Sequence, residues 1–274
     1  MLRCSAAPLC NREASGTIKQ MSFLINSPLE QFEITSLLSI QIPLLGYLNI
    51  AVTNIALYSI LALSIIFSLH YFSNNNNKLV PSKWSIALES LFTTISSIVR
   101  DQIGITNERY LPLIYSLFVF ILIANLIGNI PYNFTVTTSL IVSIGLSVTI
   151  FIGVTILGLV VKKLAFFATF VPEGTPLALV PLLASIEFIS YSARAVSLGI
   201  RLFANMVAGH ALLKILSTFL LKFFQNDILI AVIALVPFSI FCALMVLELS
   251  VSVIQAYVFT VLTCSYIKDA LVSH

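Results

Sequence analysis

Ionisable side chains interrupt two long apolar stretches in the C-terminal half of the chain. They are Glu187, Arg194, Arg201, Lys214 and Glu248, accompanied by the polar Asn205, His210, Gln255 and Tyr257. If these stretches cross a membrane, such groups are costly to bury and mark an ion or proton pathway. For Glu187 with Arg194 a second interpretation stays open, that of a buried ion pair that locks helices together.

The spacing of three of these residues places them on one side of a helix. Glu187, Arg194 and Arg201 follow one another at intervals of seven residues, and Asn205 lies one turn beyond Arg201. His210 lies nine residues beyond Arg201, about 900° of helical rotation, so it projects from the opposite side. The helix therefore presents a permanent cation on one face and a titratable group on another.

The last apolar stretch carries a polar stripe of its own. Glu248, Ser252 and Gln255 follow the i, i+4, i+7 spacing of one helical face. If this helix runs antiparallel to its predecessor, Gln255 lies near the depth of Arg201 and Glu248 lies nearer the depth of His210. The sequence thus predicts polar groups of two helices at matching depths.

These spacings predict two pairs of proton-exchanging groups, one on either side of the permanent charge of Arg201. We expect His210 with Glu248 toward one membrane surface and Glu187 with Asp269 toward the other, with Arg201 between them. Carboxylates and imidazole can take up and release protons, whereas arginine keeps its proton at any relevant pH. Arg201 would therefore block a proton leak between the two paths while attracting a carboxylate from a moving partner.

The composition is that of a membrane protein, as this interpretation requires. Of 274 residues, 59% are hydrophobic and 9% are charged, and a charged fraction of roughly a quarter is typical of soluble domains, so soluble enzymes are excluded. The net charge of +3 comes without basic clusters, which excludes nucleic-acid binding. Four cysteines lie far apart without a CxxC pair, so no metal site, disulfide framework or cofactor is predicted.

The N-terminal part predicts a leader, a first crossing and a surface helix. Residues 1–26 are basic and poor in acids, and we expect a leader or propeptide that is removed from a single membrane domain at 27–274. Residues around Leu48–Phe72 are long enough for a first transmembrane helix. After Pro81 and Ser82, one apolar stripe opposes a polar face, which predicts an amphipathic helix lying in the membrane interface.

The remaining sequence predicts an all-α polytopic membrane protein. The charge-free run Tyr110–Val161 is about twice the length of one crossing, and turn residues at Gly128–Asn133 divide it into a transmembrane hairpin. Two more apolar segments, 177–224 and 228–270, lie on either side of the polar Gln225–Asp227. Each is either one long, strongly tilted helix or two ordinary crossings. The lack of interior Gly/Pro/Asn clusters favours two long helices packed as an antiparallel pair.

Five crossings would gather most basic residues on one membrane surface. These residues are Lys78, Lys83, Arg100, Arg109, Lys162, Lys163 and Lys268, whereas Glu30, Glu33 and Asp227 fall on the other surface. Basic residues favour the side from which a protein is inserted. The C-terminus is therefore expected on the basic side and the N-terminus on the opposite side.

Several stretches carry a family resemblance. SLGIRLFANMVAGH at Ser197–His210 and IQAYVFTVLT at Ile254–Thr263 resemble the a subunit of the F-type ATP synthase, the stator of a proton-driven rotor. SPLEQFEI at Ser27–Ile34 and PLALVPLLASIEFISY before Arg201 are similar to its mitochondrial versions, especially those of fungi or plants. The resemblance implies a mitochondrial inner-membrane protein, with the mature N-terminus toward the intermembrane space and the C-terminus toward the matrix.

The same resemblance implies roles for individual residues. The chain would be a proton-translocating stator subunit rather than an enzyme by itself, with Arg201 facing the rotating ring of c subunits. The other implied sites are Asn205 and Gln255 at the ring interface, Glu187 and Asp269 in the half-channel open to the matrix, and His210 and Glu248 in the half-channel open to the intermembrane space. The implied partners are the c ring, the b subunit and other small stator subunits within the lipid bilayer, with a dimer of complexes left open.

Two other functions stay open on the residues alone. An independent ion channel or secondary carrier would use the same buried charges, but carriers are commonly built from internal repeats, and the sequence has none. A redox subunit needs paired histidines as haem or copper ligands, and the chain contains only His70, His210 and His274.

Overall fold

A computed structural model describes residues 30–42, 48–73, 81–130, 133–163, 166, 179–224 and 234–271. The chain divides into two compact units, Met1–Glu33 and Ile34–His274. In the first unit the described part holds a 3-10 turn at Glu30–Phe32. The predicted leader at 1–26 and the predicted turn at Gln225–Asp227 lie outside the described residues.

The second unit opens with a two-stranded antiparallel hairpin, which the sequence did not predict. Strand β1 is Ser36–Ile42 and strand β2 is Leu48–Thr53, with Ile40 opposite Ile50. Helix α1 begins only at Asn54 and ends at Ser73, so the expected helical start at Leu48 is wrong. An apolar run rich in β-branched residues fits a strand as well as a helix.

Helix α2 spans Lys83–Ile103 and begins where the sequence predicts an amphipathic helix. The Ser82 hydroxyl oxygen accepts a hydrogen bond from the Ser85 N–H at 3.2 Å, as a helix N-cap does. Apolar side chains near its C-terminal end, including Ile95 and Val99, are buried, and the helix packs against α1 and against two later helices, Leu111–Gly128 and Leu235–Leu271. Its polar face stays exposed.

The predicted helical hairpin is present as α3, Leu111–Gly128, and α4, Leu140–Lys162. A side chain at Gly128 would collide with the Thr135 side chain, so only glycine allows this close approach. The Asn133 side-chain amide donates to the Ile127 carbonyl at 3.1 Å and holds the turn against the end of α3. The 3-10 turn Val136–Thr138 that leads into α4 is buried.

The two long apolar segments each form one unbroken helix rather than two crossings. Helix α5 spans Val180–Phe224 with 45 residues, and α6 spans Leu235–Leu271 with 37 residues. Pro181 and Pro237 fall in the first turn of their helices, where the missing proline N–H costs no helical hydrogen bond. At a rise of 1.5 Å per residue, the helices are about 68 Å and about 56 Å long.

Among the described residues, five helices are long and apolar enough to cross a membrane, namely α1, α3, α4, α5 and α6. Their shared core is aliphatic and aromatic, with Ile114 and Phe259 fully buried. Many large apolar side chains remain exposed on the outer faces of these helices, including Ile60 and Phe67 on α1. The described part of the second unit is therefore predominantly helical, as in a multi-pass membrane protein, and it also contains the short strand hairpin.

Candidate functional site

The long helices α5 and α6 bring most of the sequence-predicted site residues to one contact. Three pairs of side chains define its register. They are Tyr191 with Tyr266, whose ring centroids lie 6.5 Å apart, Asn205 with Gln255, and His210 with Glu248. Residue numbers rise along α5 as they fall along α6, so the two helices are antiparallel where they touch.

The imidazole and carboxylate at one end of this contact lie within hydrogen-bonding distance. His210 Nδ1 and Glu248 Oε1 are 3.1 Å apart, and the two side chains are 16% and 9% exposed. Both groups can hold a proton, so the pair can pass one between its members. In the described part of the chain no group of three or more His, Cys, Asp or Glu residues is arranged to hold a metal ion.

Glycine at position 209 makes room for this carboxylate. A Cβ atom built on Gly209 would lie 2.9 Å from Glu248 Oε1 and 3.1 Å from its Cδ. Real Cβ atoms essentially never approach an oxygen this closely. The position of Glu248 against α5 therefore depends on the absence of a side chain at position 209.

The amides of Asn205 and Gln255 join the two helices near the middle of their contact. Asn205 Nδ2 donates to Gln255 Oε1 at 3.0 Å. Gln255 is 3% exposed, and its Nε2 has no hydrogen-bond partner. The pair lies one helical turn from Arg201 along α5.

Arg201 lies close to the midpoint of α5 and is exposed. Its neighbours Leu198 and Leu202 are buried, and they anchor this part of the helix to the rest of the protein. In the described ranges no carboxylate lies within salt-bridge distance of its guanidinium. The arginine is thus presented outward from the middle of the longest helix, without an acidic partner from the described chain.

A cavity of about 350 Å³ with charged and hydroxyl side chains in its wall lies beside Arg201. It is lined by Ser190, Ala193, Arg194, Ser197, Leu198, Arg201, Leu262 and Tyr266. Two guanidinium groups and three hydroxyl groups make its wall electropositive and able to hold water. The cavity lies on the side of Arg201 away from the His210–Glu248 pair.

The structure pairs Glu187 with Arg194 and not with Asp269. Glu187 Oε1 lies 3.8 Å from Arg194 Nη2, and the two side chains are 48% and 50% exposed. Both residues belong to α5, so this pair is exposed within one helix and does not lock two helices together. The structure gives no hydrogen bond or ion pair between Glu187 and Asp269.

Asp269 lies at the C-terminal end of α6 and is exposed. Its main-chain carbonyl accepts a hydrogen bond from Lys162 Nζ at 3.0 Å, which joins the end of α4 to the end of α6. A lysine ammonium at a helix C-terminus is favourable because of the helix dipole. Asp269 therefore lies at the same end of the helix pair as Tyr191 and Tyr266, beyond the cavity beside Arg201.

Two amide residues that the sequence analysis did not assign to the site also contact α6. Asn129 Nδ2 donates to Ser252 Oγ at 2.7 Å, and Asn125 Nδ2 lies 3.4 Å from the Ser252 carbonyl oxygen. Asn125 lies in the last turn of the apolar α3, and Asn129 follows four residues later as the C-cap of that helix. That i, i+4 spacing of amides in a transmembrane run was the signal that could have identified them.

Comparison with known proteins agrees with the resemblance seen in the sequence. The family described as ATP synthase A chain matches residues 56–268. An ATP synthase subunit a of Mycosarcoma maydis is 61% identical over 254 residues, covering 93% of this chain and 100% of the relative. Those of Pichia angusta and Saccharomyces cerevisiae are 46% and 45% identical, covering 91% of this chain and 98% and 97% of the relatives. The chain therefore belongs to the family of F-type ATP synthase a subunits, in its mitochondrial type.

Proposed function

We propose that the chain couples proton flow across the mitochondrial inner membrane to rotation of a ring of c subunits. The observation that carries the proposal is the placement of Arg201, an exposed cation near the middle of a 45-residue apolar helix. Such a charge is costly in lipid unless an acid meets it. A ring that presents one carboxylate after another supplies that acid from outside the chain.

The entry path leads past the His210–Glu248 pair. A proton from the intermembrane space would pass between these two groups and neutralise a ring carboxylate, which can then turn through lipid without its charge. Asn205 would lie near the ring beside this path, with the buried Gln255 behind it and joined to it by their hydrogen bond. The 3.1 Å distance between His210 Nδ1 and Glu248 Oε1 supports a direct transfer between the two.

The exit path leads through the cavity beside Arg201. A cation a few ångströms from a carboxyl group favours the ionised form, so a ring carboxyl that reaches Arg201 releases its proton into the cavity. Glu187 and Asp269 would take it on toward the matrix, from separate positions rather than as a contacting pair. The membrane potential contributes about 2.3 kcal/mol per charge for each 100 mV.

The lengths of α5 and α6 support a strongly tilted pair. Helices of about 68 Å and about 56 Å fit a hydrocarbon layer of about 30 Å only when they slant. Helix α2 would lie in the interface on the matrix side, with the mature N-terminus toward the intermembrane space and the C-terminus in the matrix. Removal of residues 1–26, contact with the b subunit and other small stator subunits, and pairing of complexes as dimers belong to the same proposal.

Substitution of Arg201 in the assembled complex tests this function. In reconstituted vesicles, Arg201→Ala is expected to abolish both ATP-driven proton pumping and proton-driven ATP synthesis, while passive proton leak persists. Lys222→Ala removes an exposed cation near the end of the same helix and should leave coupling close to that of the unmodified complex. Coupled synthesis at a normal rate in Arg201→Ala would contradict the proposal.

A further inference from the structure

Lys214 is an ionisable residue of the membrane helices that the proposed proton path leaves unused. It lies four residues beyond His210 in α5, so the two side chains share one helical face. Lys214 is half-buried, and in the described ranges no carboxylate lies within salt-bridge distance of its ammonium group. An ionisable group at membrane depth is costly, and by default it marks a function.

Lys214 flanks the His210–Glu248 pair on the side away from Arg201. Arg201 comes nine residues before His210 and Lys214 comes four residues after it, which correspond to about 14 Å and about 6 Å along the helix axis. The pair that exchanges protons therefore lies between two positive charges of the same helix. Of these two charges, the ammonium of Lys214 belongs to the residue that is nearer along α5.

Few other ionisable groups lie on the elements that pack around the two long helices. From Leu235 to Leu247, outward from Glu248, α6 contains no charged residue, and its Cys242 is exposed. The neighbouring α3 contains Tyr115 near its first turn, α4 contains Lys162 at its C-terminal end, and the turn before α4 contains none. The others lie C-terminal to Gln255 in α6 or are exposed on α2, and they are Tyr257, Cys264, Tyr266, Lys268 and Asp269, and Lys83, Glu89, Arg100 and Asp101. Among the described residues, Lys214 is therefore the charge that flanks the pair on its outer side.

From this placement we infer that Lys214 sets the proton affinity of the His210–Glu248 pair, as a fixed charge that acts through the pair and carries no proton itself. A positive charge one helical turn away opposes the imidazolium and favours the carboxylate, so it weakens the hold of the pair on an added proton. The pair then passes its proton on more readily toward the ring. The inference rests on the proposed entry path and adds to it a residue that tunes the transfer.

The pH dependence of proton flux tests this role. In vesicles that hold the reconstituted complex, flux at a fixed membrane potential is measured while the pH on the intermembrane-space side is varied and the matrix-side pH is held constant. Without the ammonium the pair binds its proton more tightly, so Lys214→Gln should raise the pH of half-maximal flux. We expect a shift of about one pH unit, because a neighbouring charge in surroundings of intermediate polarity changes proton affinity about tenfold.

A series of charges at position 214 separates electrostatics from packing. Lys214→Arg retains the positive charge and should keep the original half-maximal pH, whereas Lys214→Glu reverses the charge and should raise it by about two units. Lys222→Gln is the matched control, since Lys222 is exposed and lies eight residues farther along α5, about 12 Å, where water and salt screen its charge. This variant should keep the original half-maximal pH.

Chemical restoration of the charge gives a second measurement, which does not depend on how well Lys214→Gln assembles. In a parent complex in which the four cysteines of this chain are serines, Lys214→Cys should show the raised half-maximal pH. Treatment with 2-aminoethyl methanethiosulfonate attaches an ammonium group to the new cysteine and should return the half-maximal pH to that of the parent. The reagent should leave the parent complex itself unchanged. If treated Lys214→Cys keeps the raised value, the inference is wrong.

The remaining outcomes separate this inference from the proposed function. An unchanged half-maximal pH in Lys214→Gln, or equal shifts in Lys214→Gln and Lys214→Arg, overturn the electrostatic role of Lys214. If Glu248→Gln keeps normal flux in the same vesicles, the proton path itself is wrong. If Glu248→Gln blocks flux while Lys214→Gln leaves the half-maximal pH unchanged, only the inference fails.

Discussion

Glu248 Oε1 and His210 Nδ1 lie 3.1 Å apart across two helices, with both side chains largely shielded. Each group is neutral in one protonation state and charged in the other. One proton shared between the carboxylate and the imidazole leaves the pair without net charge. Isolated charges are costly at this depth, which favours states in which the pair shares its proton or carries opposite charges. The pair can therefore hold a proton, and neither group binds that proton so strongly that it stays on one side chain.

The first prediction concerns the space that Gly209 leaves for this carboxylate. Gly209→Ala would place a methyl group 2.9 Å from Glu248 Oε1, and the carboxylate, which is the far end of a flexible side chain, can turn away from it. We expect the carboxylate to move away from His210 and proton flux to fall about tenfold, which corresponds to about 1.4 kcal/mol. Proton flux into vesicles, normalised to the amount of assembled complex, measures the effect.

A second glycine provides the control for this substitution. Gly153 also lies in a transmembrane helix, and a Cβ atom there would meet nothing within 4 Å. Gly153→Ala should therefore leave flux unchanged. Equal losses in both variants would mean that helical stiffening, and not the position of Glu248, limits the flux.

The sequence predicted the long helices and the contact between them, because the spacing of polar residues in an apolar run defines one helical face. It left two partners open for Glu187, Asp269 on the other long helix and Arg194 on its own helix, and the structure pairs it with Arg194. Arg194 lies two helical turns beyond Glu187 on the same face, and its long side chain reaches back along the helix. Residues at matching depths on two helices, such as Glu187 and Asp269, meet only if their side chains also point toward each other.

The strand hairpin and the hydrogen bond between Asn129 and Ser252 show two further limits of sequence reasoning. Leu48–Thr53 is apolar enough for a membrane helix, and only its pairing with Ser36–Ile42 identifies it as a strand. Asn129 looks like an ordinary turn residue beside Gly128, because its partner Ser252 lies 123 positions away in the sequence. Both features depend on tertiary contacts that local patterns do not contain.

The second prediction separates the carboxylate of Glu187 from its ion pair with Arg194. Exposed ion pairs contribute about 0–1 kcal/mol, so Arg194→Ala should change the thermal stability of the complex very little. Glu187→Gln retains the size of the side chain but cannot accept a proton as a carboxylate does. We expect it to slow proton flux at least several-fold while Arg194→Ala keeps most of it, in the same vesicle assay.

The opposite ranking would contradict the exit path. If Arg194→Ala slows flux more than Glu187→Gln, the ion pair, and not the free carboxylate, is what the path needs. The double variant discriminates further. Its flux should match that of Glu187→Gln alone, because the exposed pair adds little and Arg201 still supplies a cation to the cavity wall.

The third prediction concerns the turn of the helical hairpin. Any side chain at Gly128 collides with Thr135, so Gly128→Ala must open the turn that carries Asn129. We expect less assembled complex and a lower melting temperature, as well as reduced proton flux through the complex that remains. Thr135→Ser removes the methyl group that causes the collision, and combined with Gly128→Ala it should restore part of the stability. If Thr135→Ser does not restore stability, the backbone of the turn, and not the contact with the Thr135 methyl group, requires glycine at position 128.

The last prediction concerns the close packing of α5 on α4 next to Arg201. A Cβ atom on Gly199 would lie 2.5 Å from Ser147 Oγ, 2.9 Å from the Ser143 carbonyl oxygen and 3.0 Å from Ile144 Cα. Two of these neighbours are backbone atoms that cannot rotate away, so Gly199→Ala should push α5 off α4 and destabilise the protein by about 1–3 kcal/mol. Thermal melting of the complex measures this loss, and Ser147→Gly should restore only a small part of it because the backbone contacts remain. Gly145 is on the same helix as these neighbours, and a Cβ atom there would meet nothing within 4 Å, so the Gly145→Ala complex should melt like the unmodified complex. If the Gly199→Ala complex also melts at the unmodified temperature, α5 is not held at this contact.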